Sequence, residues 1–550
     1  MTVAPAGVPR APRPDPFEGP LAADAPQASL RRLLWGASAL LVAGVVLALA
    51  LPPAERRSYL VSLCVGLVFC GALPLIASFI QYLVIGLHRF HTGYERLRPY
   101  YPRVAVILPA WNEGEVIGSS IERLLAMDYP EDRVRVYVVD DASTDATPDV
   151  VQGWQARAAG RVWHLRREKG GQGKAHTLNH GIAHILGEPW AEAVLIMDAD
   201  VLFEDSALRR MARHLSRPDV GAVMAYIKEG SVGGNYLNRL IGYEYITAQA
   251  AARRAQNVFG ALSCLAGGAQ LHSRENLIEI GSAIDTSTLA EDTFTTFRTQ
   301  LTGRKVVFEG NAVVWAEEPG DLVGLWKQRL RWARGNVQIS LRFSHMWFRG
   351  GQYGALGRGL FALIWFAVLL MPLFMIAASC GLIGIVLLDA GAARDVFRVF
   401  WRFHAVLYVF VTAMSFAVDP ATARRSWGQG LLFPGVVSLG IIVYSIAPVT
   451  FGALIATLFE RAGIVVTAEV SQAVQLFCYV WLAGSMVVAY AAKWFAARLR
   501  SDLVPKVLVE LAGYGALLCA VTLAAYVREI QGAGNTWDKT IKTGKAAVPR

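Results

Sequence analysis

The chain is short of charge. Only 17% of its 550 residues are Asp, Glu, Lys or Arg and 54% are hydrophobic, where an ordinary soluble domain carries about 25% charged residues. A purely soluble protein is thereby excluded, and several membrane spans are expected. Cysteine is scarce too. The six cysteines, at 64, 70, 264, 380, 478 and 519, are scattered, and all but Cys264 fall in apolar segments. Such spacing gives neither a disulfide framework nor a zinc cluster. No short apolar core with a cleavage site opens the chain, so no signal peptide is expected. The soluble part also lacks basic runs interleaved with aromatics on one face, which counts against a nucleic-acid partner. The net charge of +10 then points to Lys and Arg kept in cytoplasmic loops beside anionic lipid.

Two nucleotide-binding patterns are missing as well. A dinucleotide Rossmann site needs Gly-x-Gly-x-x-Gly after its first strand, but Pro109-Ala-Trp-Asn-Glu-Gly114 stands there. A P-loop needs Gly-x-x-x-x-Gly-Lys-Ser/Thr. Gly170-Gly-Gln-Gly-Lys-Ala175 comes near it, with Glu168 in place of the first glycine and Ala175 in place of the hydroxyl. The turn can still cradle a phosphate at a helix N-terminus, with Lys174 adding charge.

What is present divides the chain. Residues 1–30 are rich in Pro and Ala and read as a disordered cytoplasmic tail. Within 31–90, the runs Leu33 to Leu51 and Tyr59 to Leu87 have the length of two membrane spans. Residues 100–318 differ in kind. Val104-Ala-Val-Ile-Leu108, Val134-Arg-Val-Tyr-Val-Val139, Arg161-Val-Trp-His-Leu165 and Ala193-Val-Leu-Ile-Met197 are strand-like and alternate with helical segments. That β-α-β-α-β-α-β order predicts a parallel sheet covered by helices. Residues 319–350 hold a basic, aromatic, amphipathic stretch whose simplest reading is a membrane-surface anchor. Residues 359–527 offer five apolar candidates: 359–388, 399–418, 431–458, 474–495 and 507–526. Pro434 and Pro448 interrupt the third, which is the expected place for an interfacial or re-entrant segment, so six or seven spans are expected in total. Residues 528–550 form a basic tail.

Ligands of parallel α/β sheets sit beyond the carboxyl ends of the strands. Asp140-Asp141 and Asp198-Ala-Asp200 both end strands. Carboxylates so placed suit a hard divalent ion that bridges phosphate oxygens. Asp is also common in plain turns; two acidic pairs on neighbouring strands favour a site.

Taken together, Pro109-Ala-Trp-Asn-Glu113, Asp140-Asp141, Gly173-Lys-Ala-His-Thr-Leu-Asn179, Asp198-Ala-Asp200, Ala290-Glu-Asp292 and Gln328-x-x-Arg331-Trp332 resemble the motif series of membrane-embedded family 2 glycosyltransferases. These are the processive synthases of cellulose, poly-N-acetylglucosamine, chitin and hyaluronan. The resemblance covers about residues 103–336, and Ala290 departs from the Thr or Ser often found before Glu-Asp. It implies a GT-A-type, Rossmann-like α/β domain on the cytosolic side, inserted between transmembrane helices of a multi-pass plasma-membrane protein. It also implies Asn112, Glu113, Asp140, Lys174, Asp198, Gln328 and Arg331 on the donor, Asp200 on Mg2+ or Mn2+, and Asp292 as general base. Trp332 and Gly268 are implied on the acceptor side, and Trp537 and Thr540 in a gating segment over the donor. The implied reaction is inverting transfer from a UDP-sugar, UDP-glucose or UDP-N-acetylglucosamine, onto a growing β-linked polysaccharide that leaves through the lipid bilayer. Accessory membrane or cell-envelope proteins are compatible with it. Two alternatives stand beside this: a non-processive transferase with a lipid or lipid-linked acceptor, and a transporter or receptor whose α/β domain only binds a ligand.

Overall fold

The computed structural model describes residues 35–36, 39, 42–44, 46–47, 49–92, 97–463, 465, 467–535, 544 and 546–548. Trp537 and Thr540 lie outside them. The four strand-like runs pair as expected. Strands β1 (Val104–Ala110), β2 (Val134–Asp140), β3 (Val162–Arg166) and β4 (Ala193–Met197) form the parallel half of an eight-stranded sheet. Alternation decides which residues face which layer. Val104, Val106 and Leu108 pack into one core and Ala105 and Ile107 into the other. All five are fully buried, and such two-sided burial gives parallel strands their continuous apolar runs.

The other half of the sheet is not visible as a pattern in the sequence. It comprises β5 (Val201–Phe203), β6 (Val220–Glu229), β7 (Ala269–Ser273) and β8 (Lys305–Ala316). The spatial order is β3-β2-β1-β4-β7-β6-β8-β5. β7 runs antiparallel to both β4 and β6, while β6 and β8 are parallel. The segment after β4, which bears Asp198 and Asp200, therefore lies where the sheet changes from parallel to mixed.

Helices α1 (Pro53–Cys70) and α2 (Leu73–Thr92) lead into this domain and are bent by 43° at their break. Within the domain, α3 (Lys174–Gly187), α4 (Tyr236–Tyr245) and α5 (Glu291–Leu301) carry residues of the site. The basic aromatic stretch forms α6 (Leu322–Arg342), capped by the Asp321 side chain, which accepts from Gly324 N–H. Beyond it, α7 (Met371–Leu388), α8 (Ala390–Val418) and α9 (Ala468–Ala496) are long and apolar enough to cross a membrane. An Arg57–Asp389 ion pair of 3.5 Å joins the start of α1 to the turn between α7 and α8.

The remaining apolar candidates are broken. The 431–458 run is divided into Val436–Ile446 and Pro448–Arg461. There Pro448 disfavours helical geometry in the preceding Ala447, which sits at φ −126° and ψ 66°. The 507–526 run is broken as well. It becomes α10 (Leu503–Ala512) and α11 (Tyr514–Ile530), bent by 95° around Gly513. α11 lies along α6: Arg334 Nε donates to Glu529 Oε1 at 2.5 Å, and Gln338 Nε2 reaches both Glu529 oxygens at 3.3 Å.

The elbow depends on two glycines in contact. Gly435 and Gly513 have φ of +87° and +93°. A Cβ on Gly435 would fall 2.5 Å from Gly513 N, and one on Gly513 would fall 2.4 Å from the Pro434 carbonyl carbon. Gly513→Ala is expected to combine left-handed strain with a backbone clash, together about 3 kcal/mol. The thermal midpoint in detergent should drop clearly. Gly452→Ala, whose Cβ would meet nothing within 4 Å, should leave it in place. Equal midpoints for the two variants would contradict this account of the elbow.

Candidate functional site

A cavity of about 1270 Å³ opens at the carboxyl ends of the parallel strands and continues between the apolar helices. Its domain end is walled by Asp198, Asp200, Glu291, Asp292, Lys174 and Gly268, with Gln328, Arg331 and Trp332 of α6 beside them. Its far end is walled by Trp365, Trp401, His404, Tyr408, Ser438 and Ser485. Of the residues given a role by sequence, Glu113, Lys174, Asp198, Asp200, Gly268, Asp292, Gln328, Arg331 and Trp332 share this one space.

Lys174 opens α3 directly after Gly171 and Gly173, whose φ values of +79° and +104° bend the glycine-rich turn. Its Nζ is ion-paired with Asp198 Oδ1 and lies 3.9 Å from Glu291 Oε1. Burial alone would push the Lys174 ammonium down; Asp198 and Glu291 outweigh that and raise it, so it stays charged. Glu291 and Asp292 open α5, where a helix dipole favours negative charge. Burial pushes the Glu291 carboxyl up, against the pull of Lys174 and with the help of Asp292. Asp292 is oriented by backbone donors: Gly267 N–H on Oδ2 at 3.1 Å and Thr293 N–H on Oδ1 at 2.6 Å.

The first acidic pair behaves differently from the second. Asp140 is fully buried and does not line the cavity. Its oxygens accept from Arg166 Nη1 at 2.7 Å and Ser143 N–H at 2.8 Å and meet His164 Nε2 at 3.2 Å. Burial would raise its carboxyl, but the His164, Ser143 and Arg166 contacts prevail and hold it at about 2. Its neighbour Asp141 is the one on the cavity wall, where Oδ2 accepts Gly171 N–H at 2.8 Å and Oδ1 pairs with Arg167. Strand alternation sends adjacent side chains to opposite sides, and Asp141 follows the last residue of β2. Asn112 is also off the cavity. It sits at φ +54° and braces the loop through Thr144 N–H, 2.8 Å from its Oδ1, while Glu113 reaches the wall.

On α6, Gln328 Nε2 donates to Glu318 Oε2 at 3.1 Å. Trp332 is 37% exposed, on the cavity. Arg329, which lies between the motif positions and was not singled out by sequence, is 4% exposed. It pairs with Glu244 of α4 at 2.7 Å. Flanking the positions of Trp537 and Thr540, Asn535 Nδ2 donates to Ser287 O at 3.0 Å, and Gly544 N–H to Glu317 Oε2 at 3.0 Å.

Among the described residues no group of three or more His, Cys, Asp or Glu could hold a metal ion by itself. The acidic pair after β4 fits a smaller demand. Mg2+ and its like are commonly bound by one or two carboxylates together with substrate phosphates, and Asp198 and Asp200 supply that number.

Residues 102–335 match a family model described as "Glycosyltransferase like family 2". The GT-A-type α/β fold implied by the motif series is therefore the fold of this domain. Among curated proteins, the chain is 29% identical over 278 residues to a probable glycosyltransferase, YdaM, of Bacillus subtilis, covering 49% of this chain and 65% of that protein. It is 27% identical over 240 residues to a poly-beta-1,6-N-acetyl-D-glucosamine synthase of Staphylococcus epidermidis, covering 44% and 56%. It is 31% identical over 244 residues to a beta-monoglucosyldiacylglycerol synthase of Synechocystis, covering 44% and 50%. The chain thus spans half to just under two thirds of the length of these relatives.

Proposed function

From a chain whose residues 102–335 form a family 2-type glycosyltransferase domain, we propose a membrane enzyme that transfers sugar units from a cytosolic UDP-sugar to a growing β-linked polysaccharide and passes the product between its own helices. The observation that carries this reading is the continuity of the cavity from Asp292 and Trp332 to the aromatic and hydroxyl side chains of the apolar helices. Indole faces suit the apolar faces of pyranose rings, and hydroxyl groups suit their edges. The multi-pass plasma-membrane setting, with the catalytic domain and both chain ends on the cytoplasmic side, belongs to the same proposal.

In the proposed reaction, an acceptor hydroxyl oxygen attacks the anomeric carbon of the donor. The bond from that carbon to the diphosphate oxygen breaks, UDP departs, and the hydroxyl proton passes to an Asp292 oxygen. One displacement inverts an α-linked donor to a β-linkage. Asp292 is the best-placed base because Gly267 and Thr293 N–H groups fix both its oxygens. Lys174 and Arg331 supply positive charge for the departing diphosphate, and Gln328 braces the helix beside it. Asp198 and Asp200 would hold a divalent cation, which when bound adds charge stabilisation at the diphosphate. Asp141 takes the nucleoside role expected of Asp140, since it faces the cavity and Asp140 does not. Gly268 and Trp332 border the acceptor.

A second reading is favoured by one observation. Leu75, Val368, Met371, Met375 and Leu518 also wall the cavity, so an acyl chain could occupy it, and one relative is named for a glycolipid product. One experiment separates the readings. Purified protein in lipid–detergent micelles is given Mn2+ and each labelled UDP-sugar in turn, and product is partitioned between organic and aqueous phases. Aqueous, high-mass product that a linkage-specific hydrolase digests is the expected result. Label confined to a single-sugar lipid would establish the second reading, and absence of UDP release from every donor would remove both.

A further inference from the structure

The helix bearing Trp332 holds a residue that neither the motif series nor the proposed chemistry uses. The Arg329 guanidinium carbon lies 4.1 Å from the centroid of the Trp332 ring. Residues three apart share a helix face, so the contact follows from position alone, but its persistence does not. A Trp on a cavity wall has several rotamers open to it. Arg329 has far fewer. It is 4% exposed, its Nη2 donates to Glu244 Oε2 at 2.7 Å, and its Nη1 donates to Gln328 Oε1. Glu244 is fixed in turn by Tyr514 Oη, which donates to the same oxygen at 2.7 Å. Tyr514 is the first residue of α11, directly after the Gly513 elbow.

We propose that Arg329 is a positioning residue for acceptor binding: the Tyr514–Glu244–Arg329 chain holds the Trp332 ring at the angle at which it receives the acceptor sugar. The C-terminal elbow thereby reaches the acceptor subsite through three side chains. A guanidinium is planar and stacks on an indole, and an ammonium at the same place offers only a point charge. Arg329→Lys keeps a cation for Glu244 and removes the plane. The consequence for catalysis rests on the reading of Trp332 as an acceptor contact, whereas the holding of the ring does not.

The test has two arms, both on the full chain in micelles. In the first, 5-fluorotryptophan is incorporated and the Trp332 fluorine resonance is assigned by its loss in Trp332→Phe. That resonance should be single and sharp in the wild type, and shifted and broadened in Arg329→Lys. Tyr514→Phe, which deletes one hydroxyl, should broaden it to a lesser degree and serves if Arg329→Lys fails to fold. An unchanged resonance in the folded variants overturns the proposal. In the second, UDP-N-acetylglucosamine is the donor and a β-1,6-linked N-acetylglucosamine tetramer is the acceptor probe. Arg329→Lys should raise the acceptor KM about tenfold, between the sizes of an exposed and a desolvated cation–π contact, with the donor KM within about twofold. Trp332→Ala should raise the acceptor KM at least as far, and the double variant no further, because both act through one ring. Multiplied losses in the double variant overturn the role of Arg329. A normal acceptor KM in Trp332→Ala overturns the reading of Trp332 itself, and a resonance that still responds to Arg329→Lys separates that failure from the first.

Discussion

Asp292→Asn should lower sugar transfer by about 10²–10⁴-fold, the usual contribution of a general base, while UDP affinity stays nearly unchanged. The substitution is nearly isosteric. The amide oxygen can keep one of the two backbone N–H contacts, which in the wild type are 3.1 Å to Gly267 and 2.6 Å to Thr293, and the amide nitrogen gives up the other, a local change that leaves the donor side of the cavity in place. What disappears is the capacity to take a proton. Glu291 is a poor substitute although it is adjacent, because its Oε1 faces the Lys174 ammonium at 3.9 Å. Transfer is measured as labelled product per enzyme and UDP binding by calorimetry on the same preparation. Product formation at the wild-type rate would remove Asp292 from the role of base; loss of UDP binding along with transfer would assign it to donor binding.

Asp200→Ala and chelation should have the same result: UDP affinity loses its dependence on Mn2+. The argument is one of ligand number. A cation held by Asp198 and Asp200 would complete its shell with the diphosphate, so each of the two carboxylates would carry a large part of its binding. Asp198 is already ion-paired with Lys174, which leaves Asp200 the more decisive. The expected loss of UDP affinity in the presence of Mn2+ is about 10–100-fold, the scale on which a single metal-site partner acts. Calorimetric titration of UDP with and without Mn2+ measures it directly. A variant that keeps the wild-type Mn2+ effect would take Asp200 out of the metal site.

How much of this could be read from residues alone follows from the range of the forces involved. The parallel half of the sheet was legible because each strand is a local apolar run and each connection a local helix. β5 to β8 were not, since β7 fits between β4 and β6 only through pairings distant in sequence, such as Leu195 with Leu271. Most of the site was legible because strand ends and helix starts are local features that concentrate Asp198, Asp200, Glu291, Asp292 and Lys174. The choice within Asp140-Asp141 was not. It depends on Arg166 and His164 of the neighbouring strand, which draw Asp140 inward. Arg329 was hidden for a similar reason. In a basic helix it looks like one more headgroup contact, and only its partners on α4 and α11 distinguish it. The Gly513 elbow was hidden by composition, since an apolar stretch broken by one glycine reads as continuous.

The docking of α11 on α6 also bears on when the protein becomes competent during its synthesis. A ribosome delivers the domain strands and α6 early, and the pairings among β1 to β4 are complete at residue 197. Tyr514 and Glu529, which fasten α6 at its middle and beyond, are made some two hundred residues later. Domains generally fold as they emerge, so a nascent chain would carry a folded α/β domain while Glu244, the partner of Arg329, still lacks its Tyr514 contact. The apolar helices between α6 and α11 must first take their places for the last helix to return to the domain. On the proposed reading, transfer would thus begin only once the passage between the apolar helices has been built.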